Sequence, residues 1–437
     1  MKKEKIPNSP KGINVNNLVC SDSGMRGIKK LFLLLMLFAF LAEAGAETNS
    51  PYTRFGYGDI NAVSFSASRA MGGIGVGYRN RRAINPINPA SYSAVDTMTF
   101  MFDAGGSFLR TSFKSGNGNA SKTNGGFDYL VLQFPVTRYL GVSFGVNPYS
   151  MVGYEFSSTD TAVSKSNSDI KEEMKQTYEG SGGINQIYGG ISGKFLDHFS
   201  VGLNAYYAFG NITHYKANKQ SSGVGNTSSQ RSNLYIKDLR LRYGLQYFTN
   251  IDEKHQLTAG AIFENKTKVN GDFEFNTKGG GGLDTTITTK YGFDFPTTFG
   301  VGAFYTFDKK LSVGLDYMFQ NWQNARYYGK TDSLSNVSRF AFGVEYLPDM
   351  FGTKYYKRIR YRAGATLSTP YAKMNESFNN YSVMAGVGVP FRRNASMLNI
   401  GFEYGKNGAK NLIEENYFKI TLSLTFVETW FFKREIR

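Results

Sequence analysis

The chain has 437 residues and a formal net charge of +16, with 49 glycines, 36 phenylalanines and 29 tyrosines. Abundant aromatic residues and glycine, without a long apolar run after the N-terminal segment, are typical of a transmembrane β-barrel. The positive charge is spread along the chain and forms no compact basic helix or RNA-binding motif, so we do not expect nucleic-acid binding. An outer-membrane lipid or an anionic ligand is the better match for this charge.

The N-terminal segment has the order of a secretory signal peptide. Basic residues precede the apolar run Leu31–Leu41, and small residues follow it. We therefore predict a signal peptide over residues 1–46, with cleavage after Ala44 or Ala46 and Met25 as an alternative start. The apolar run is too short for a membrane helix. The single cysteine, Cys20, would be lost with this leader, leaving no thiol for a disulfide, metal ligand or nucleophile.

Residues 47–97 are predicted to form a plug inside the barrel. Four closely spaced glycines, from Gly72 to Gly77, are followed by two Asn-Pro steps, Asn85-Pro86 and Asn88-Pro89. Each proline fixes its own φ and disfavours a helical residue before it, so the backbone should turn repeatedly. A disordered linker is the alternative, but a linker seldom carries so many apolar residues.

From Met98 the apolar residues recur at every second position, which predicts strands with one apolar face. Leu311, Val313 and Leu315 share one such face, for example, and Ser312 and Asp316 share the other. The predicted strands lie near 98–113, 125–137, 139–157, 178–195, 199–214, 232–250, 256–271, 288–307, 311–327, 337–347, 357–371, 381–391, 398–406 and 415–427.

The connections between these strands alternate between long polar loops and short turns, as in outer-membrane barrels whose short turns are periplasmic. Pro348–Tyr356 is an exception among the short turns. We predict an all-β fold: a transmembrane antiparallel β-barrel of about 14 strands over residues 98–427, followed by a periplasmic tail over 428–437. A soluble β-sandwich is the alternative, but it does not require so many aromatics opposite the polar face.

Three places in the sequence resemble the outer-membrane hydrophobic-compound transporters, the family of the fatty acid transporter FadL and the toluene transporter TodX. They are the plug motif Asn88-Pro89-Ala90, the hairpin from Phe295 to Trp322, and the strand start Tyr361–Ala365. The chain departs from the family in Val427–Arg437, which extends past the terminal aromatic residue. The resemblance implies passive uptake of hydrophobic molecules such as long-chain fatty acids through a plugged lumen.

No catalytic arrangement is evident, so we predict a non-enzyme without cofactor or metal. His198 and Ser200 are close in sequence and suggest an outer-membrane lipid hydrolase as a minor alternative. Nothing else in the sequence supports that chemistry. Another alternative is a non-transporting barrel that serves as a secretion or surface-attachment partner. We expect an integral outer-membrane protein of a Gram-negative bacterium that acts as a monomer.

Six arginines are predicted to point into the lumen, and five of them are candidates for binding a ligand carboxylate: Arg240, Arg242, Arg358, Arg360 and Arg362, with Arg339 as the sixth inward arginine. They alternate with apolar residues, and a charge facing lipid at the bilayer midplane costs about 2–4 kcal/mol. One interpretation is a structural network with acidic residues of the wall and plug. The other is a site for the carboxylate of an amphipathic ligand, whose shape matches a guanidinium group.

Gly145, Asn147 and Pro148 lie inside the third predicted strand. Proline has no N–H for a sheet ladder and is normally kept to edges or bulges. We predict a lateral opening here, through which a hydrophobic ligand leaves into the membrane, as the resemblance also implies. The alternative is a β-bulge that only redirects the strand.

Overall fold

The computed structural model describes residues 48–429, except 61–63, 117, 164–170, 221–226, 280–283, 375–377, 392–395 and 409–411. The predicted signal peptide lies outside the described residues. The chain forms a closed 14-stranded antiparallel β-barrel, as predicted. Its first strand pairs with its last, with Phe102 opposite Phe426. No helix among the described residues is long and apolar enough to cross a membrane.

The strands are β1 (Thr99–Ser115), β2 (Gly118–Pro135), β3 (Leu140–Val163), β4 (Lys171–Phe195), β5 (Phe199–Gln220), β6 (Ser228–Asn250), β7 (His255–Glu264 and Thr267–Lys278), β8 (Asp284–Phe295 and Thr297–Phe307), β9 (Leu311–Asn321), β10 (Val337–Tyr346), β11 (Arg360–Ser368), β12 (Asn380–Pro390), β13 (Met397–Asn407) and β14 (Glu414–Thr429). We call the end of the barrel with the mostly short connections the turn end, and the opposite end the loop end.

The predicted alternation of side chains is present in the strands. On β9, Leu315 is 58% exposed on the outer face, whereas the neighbouring Asp316 is 8% exposed inside the barrel. An apolar outer face around a polar interior is the arrangement required in a bilayer.

Several strands start earlier or end elsewhere than predicted; β2 begins at Gly118, for example, and β9 ends at Asn321. Three further differences concern single residues. Pro296 interrupts β8, because proline lacks the N–H that a strand interior requires. Arg358 precedes β11 and ends a short 3-10 helix, Tyr355–Arg358, instead of lying in a strand. The last strand continues to Thr429, so the tail predicted from residue 428 begins inside β14; residues 430–437 lie outside the described residues.

The plug fills the barrel from residue 48 to β1. It contains the 3-10 helices Pro51–Arg54, Ser66–Ala70 and Pro89–Ala94, and a two-residue plug strand, Asp59–Ile60. Its apolar residues are buried against the wall, with Tyr57 among Phe293, Phe295 and Trp322 near the loop end. Full burial of such a side chain contributes about 1.5–3 kcal/mol, so the plug and wall share one core.

Candidate functional site

The plug motif Asn88-Pro89-Ala90 fastens the plug to the wall. Asn88 is fully buried, and its Nδ2 donates to the carbonyl oxygens of Val76 in the plug (2.8 Å) and Leu245 in β6 (3.1 Å). Its Oδ1 accepts from the Ala90 N–H at 3.1 Å and caps the 3-10 helix that Pro89 begins. Proline suits this first helical position because its missing N–H would have no partner there. The geometry gives the motif a structural role.

The carbonyl oxygen of Ala90 is a second fastening point. It accepts from the Ser200 hydroxyl at 2.6 Å and from Arg79 Nη1 at 3.0 Å. Ser200 is therefore occupied by the plug, while His198 Nδ1 lies 3.1 Å from the Phe248 carbonyl oxygen at an exposed turn. The hydrolase alternative requires a nucleophile and a base in hydrogen-bond contact with each other. Ser200 and His198 instead contact the carbonyl oxygens of Ala90 and Phe248.

Asp316 on β9 holds the glycine-rich part of the plug. Its carboxylate accepts from three successive backbone N–H groups, those of Gly75 (2.5 Å), Val76 (2.8 Å) and Gly77 (3.4 Å). Successive N–H groups that converge in this way form an anion-binding concavity. The alternation in the sequence placed Asp316 inside the barrel, but it carried no signal for this partner.

Glycines of the wall allow the plug backbone to approach closely. Gly343 and Gly364 are opposite each other on β10 and β11. A Cβ atom at Gly343 would lie 2.4 Å from the Met71 carbonyl oxygen, and one at Gly364 would lie 2.1 Å from the Gly72 nitrogen. The sequence analysis missed this contact, although glycine at inward positions of adjacent strands is the signal that predicts it.

Two of the predicted lumen arginines share one acidic partner. Arg240 Nη1 lies 3.3 Å from Glu264 Oε2, and Arg242 Nε contacts Glu264 Oε1. Arg240 also donates to Gln186 Oε1 at 2.7 Å. Its guanidinium group lies over the ring of Tyr149, 4.4 Å from the centroid. These contacts form the network of the structural interpretation.

Arg360 and Arg362 repeat this arrangement near the turn end. Arg360 Nη1 lies 2.5 Å from Glu345 Oε1, and Arg362 Nε lies 2.7 Å from Glu345 Oε2. Arg362 also donates to Asn399 Oδ1 at 2.7 Å. Arg358 is different, because it lies over the ring of Tyr355 and its buried Nε has no hydrogen-bond partner among the described residues.

Strands β2 and β3 are paired only near the turn end. Their pairing runs from Pro135 opposite Gly141 to Leu130 opposite Val146, and Gly145 lies within it. Further toward the loop end, the described residues of β2 pair only with β1, whereas those of β3 pair with β4 and the plug. The hydrogen-bonded ladder of the wall is therefore interrupted between the outer parts of β2 and β3, where Lys122 and Glu155 lie 3.5 Å apart as a salt bridge; we call this interruption the gap.

Asn147 and Pro148 lie where this pairing stops. The register of β3 against β4 shifts between Pro148 and Ser150, so Tyr149 forms a β-bulge. Asn147 Nδ2 donates to the Pro148 carbonyl oxygen at 3.0 Å, and its buried Oδ1 has no hydrogen-bond partner among the described residues. The bulge therefore lies next to the end of the β2–β3 ladder.

The plug occupies this gap from the inside. Its strand Asp59–Ile60 pairs antiparallel with Met151 and Ser150 of β3. Nearby, Asn49 Nδ2 donates to Asn124 Oδ1 of β2 at 2.5 Å, so the N-terminal part of the plug touches both edges of the gap. The plug supplies some of the backbone partners that β2 does not provide.

Sequence comparison places the chain in a family. The BamG family model matches residues 27–437. The chain belongs to the BamG family. No curated protein sequence matches this BamG-family chain.

Solved structures similar to the BamG-family barrel include two toluene transporters and a FadL homologue. The Pseudomonas putida toluene transporter TodX has a TM-score of 0.55 and 13% identity, over 85% of this chain and 100% of that one. The Ralstonia pickettii toluene transporter TbuX has a TM-score of 0.52 and 15% identity, over 84% and 98%. A Pseudomonas aeruginosa FadL homologue has a TM-score of 0.57 and 12% identity, over 85% and 100%. The resemblance drawn from the sequence is thus confirmed at the level of the fold.

A cavity of about 370 Å³ lies between the plug of the BamG-family barrel and the loop end. We call it the loop-side cavity; its charged lining comprises Asp59, Arg69, Arg242, Arg339, Glu403, Glu415 and Lys419. The cavity also reaches Ile60, so it extends to the plug strand that closes the gap.

Proposed function

We propose that this BamG-family chain is an outer-membrane channel of a Gram-negative bacterium for passive uptake of hydrophobic small molecules. In this proposal the ligand enters the loop-side cavity and leaves sideways between β2 and β3. The observation that carries the proposal is the end of β2–β3 pairing at Leu130 and Val146, next to which the plug strand Asp59–Ile60 pairs with β3 and also lines this cavity. The names of the similar structures, which include toluene transporters and a "monoaromatic hydrocarbon channel", agree with it.

The physical reason for a lateral exit is the affinity of the ligand for lipid. Burial of each CH₂ group is favourable by about 0.8 kcal/mol, so transfer to the bilayer is downhill compared with the aqueous periplasm. Opening an ordinary barrel wall would expose unpaired backbone groups to lipid at several kcal/mol each. Here the ladder is already interrupted, so the contacts that have to open are those of the plug, chiefly the pairing of Asp59–Ile60 with β3 and the hydrogen bonds of Thr53 with Gly153.

Of the five predicted arginines, only Arg242 lines the loop-side cavity. We assign to it the contact with the carboxylate of a fatty acid, should fatty acids be the substrate. That carboxylate would compete with Glu264, which already contacts Arg242. A neutral hydrocarbon has no such competition, so uptake of neutral ligands should exceed that of carboxylates of equal length.

The test is a reversible lock on the plug strand. Ile60 and Ser150 are directly opposite each other, and Cα atoms of antiparallel partners lie about 4.5–5.5 Å apart, within reach of a disulfide. The variant Ile60→Cys/Ser150→Cys should lose uptake of a radiolabelled hydrophobic compound when oxidised and regain it on reduction. If the oxidised protein transports normally, the plug strand does not gate an exit.

A matched control uses the pair Thr306→Cys/Ser312→Cys, whose side-chain oxygens lie 3.0 Å apart near a turn on β8 and β9. This cross-link lies away from the gap and should leave uptake unchanged in both redox states. Because Cys20 lies in the predicted leader, the mature protein would offer no competing thiol.

The charged lining of the loop-side cavity favours a second candidate function, a non-transporting barrel that serves as a secretion or surface-attachment partner. A transporter of hydrophobic molecules is expected to hold a mostly apolar pocket. Asp59, Glu403 and Lys419 instead give this cavity a charged surface. Lack of hydrophobic uptake by the unlocked, folded protein would select this candidate.

A further inference from the structure

A second cavity, of about 400 Å³, lies on the other side of the plug at the turn end. We call it the turn-side vestibule; its lining includes Arg82 of the plug, Arg358, Arg360 and Arg362 of the wall, and Met350 and Phe351 at the rim. It is separate from the loop-side cavity and from the gap between β2 and β3. A ligand of this vestibule would therefore lie off the uptake route proposed above.

The vestibule carries excess positive charge. Four arginines line it, and none of its described lining residues is acidic. The nearest compensation is Glu345, which binds Arg360 and Arg362 at 2.5 and 2.7 Å. Even after this pairing, Arg82 and Arg358 add two positive charges without a described salt-bridge partner. A concave site lined by one sign of charge concentrates ions of the opposite sign.

Arg358 is held in position to receive an anion. It ends the 3-10 helix Tyr355–Arg358, and its guanidinium carbon lies 5.1 Å from the centroid of the Tyr355 ring. The Tyr355 hydroxyl donates to the Pro390 carbonyl oxygen at 2.6 Å and thereby fixes this turn against the end of β12. The buried Nε of Arg358 has no hydrogen-bond partner among the described residues. An unpaired buried donor is costly, and an anionic ligand would satisfy it.

The rim of the vestibule is apolar. Phe351 is 90% exposed and Met350 is 40% exposed, both in the long turn between β10 and β11, and Phe391 is 48% exposed beside them. This turn is the exception that the sequence already showed among the short connections. An exposed apolar rim above a cluster of arginines matches a ligand with a hydrocarbon chain and an anionic head.

We infer that the turn-side vestibule binds the phosphate group of an anionic amphiphile, with Arg82 and Arg358 as its principal contacts. A phosphate offers several strong acceptor oxygens to guanidinium donors, which bind phosphate in a planar, bidentate geometry. The same phosphate chemistry could come from a lipid headgroup or from free inorganic phosphate. The apolar rim favours the lipid.

The test measures binding to the full mature protein in dodecyl maltoside, a detergent without phosphate, by isothermal titration with octyl phosphate. Arg82→Gln and Arg358→Gln should each weaken binding by about tenfold, the effect of losing one charge-assisted hydrogen bond. The matched control is Arg138→Gln, since Arg138 also lies in a short turn with its guanidinium carbon 4.6 Å from the centroid of a tyrosine ring, that of Tyr139. This control should bind octyl phosphate like the parent protein.

Parallel titrations with inorganic phosphate and octyltrimethylammonium identify the ligand class. Much weaker binding of inorganic phosphate supports a lipid phosphate, whereas equal affinity assigns the site to free phosphate. The inference is overturned if octyl phosphate binds both variants as tightly as the parent, or if the cationic amphiphile binds equally well. Unchanged gel migration before boiling verifies that each variant is folded. Hydrophobic uptake, measured separately, should be unaffected by either variant.

Discussion

Single residues decide how firmly the plug is held, and Asp316 is the clearest case. Its one carboxylate serves three backbone N–H groups of the glycine-rich segment, including Gly75 at 2.5 Å and Val76 at 2.8 Å. A hydrogen bond to a charged group contributes about 1.5–3 kcal/mol. Removal of this carboxylate should therefore loosen the plug without touching the ladder of the wall.

We expect Asp316→Ala to raise the leak of small polar solutes through the barrel, as measured by swelling of liposomes in sugar solutions. The substitution removes at least two charge-assisted hydrogen bonds, which should weaken the attachment of the plug to the wall by at least about 3 kcal/mol. Glu403→Gln is the matched control, because Glu403 is an inward carboxylate that accepts from Tyr417 at 2.8 Å on the wall. Equal leak in both variants would show that Asp316 does not retain the plug.

The alternation of apolar and polar residues predicted which side chains point into the barrel, but it did not predict which side chains they contact there. Period two placed Arg240, Arg242, Arg360 and Arg362 inside the barrel, as observed. Glu264 and Glu345 each bind two of these arginines, and this pairing depends on the register between neighbouring strands. Register is set by cross-strand contacts and turn geometry, which a single strand sequence does not display.

At the scale of elements, β3 is the strand that departs from the regular wall. The strand number and most boundaries followed from local periodicity, because each strand needs one apolar face. Pro148 also marked the irregular position. The extent of the gap could not be predicted, since it is defined by which residues of β2 fail to pair with β3. The pairing of Asp59–Ile60 with β3 has no local sequence signal either.

Pro148→Val should reduce uptake of the hydrophobic compound while folding and surface binding persist. Valine supplies an N–H group and favours extended backbone, so it should reduce the bulge at Tyr149 and strengthen pairing of β3. The comparison variant is Pro135→Val, at the end of β2 and inside the paired region. Unchanged uptake by correctly folded Pro148→Val protein would argue against exit through the gap.

At the scale of the whole molecule, the wall and the plug contribute unequally to the fold. The 14 strands close from β14 to β1, and among the described residues the plug adds one two-residue strand pairing, with β3. The plug nevertheless supplies some of the most deeply buried side chains, including Tyr57, Met71, Ile84 and Tyr92. The wall should thus fold without the plug, although it should be less stable.

Deletion of residues 52–96 is the variant that separates a gate from a folding core. Its wall would keep Glu264 with Arg242 and Glu345 with Arg362, whereas Asp128 would lose Arg69 and Asp316 would lose its N–H partners and would be hydrated instead. We expect a barrel that still migrates differently before and after boiling, unfolds at a lower temperature, and passes small polar solutes faster than the parent protein. If the plug-deleted chain migrates identically before and after boiling, the buried side chains of residues 52–96 are required to close the wall. The plug would then be part of the folding core.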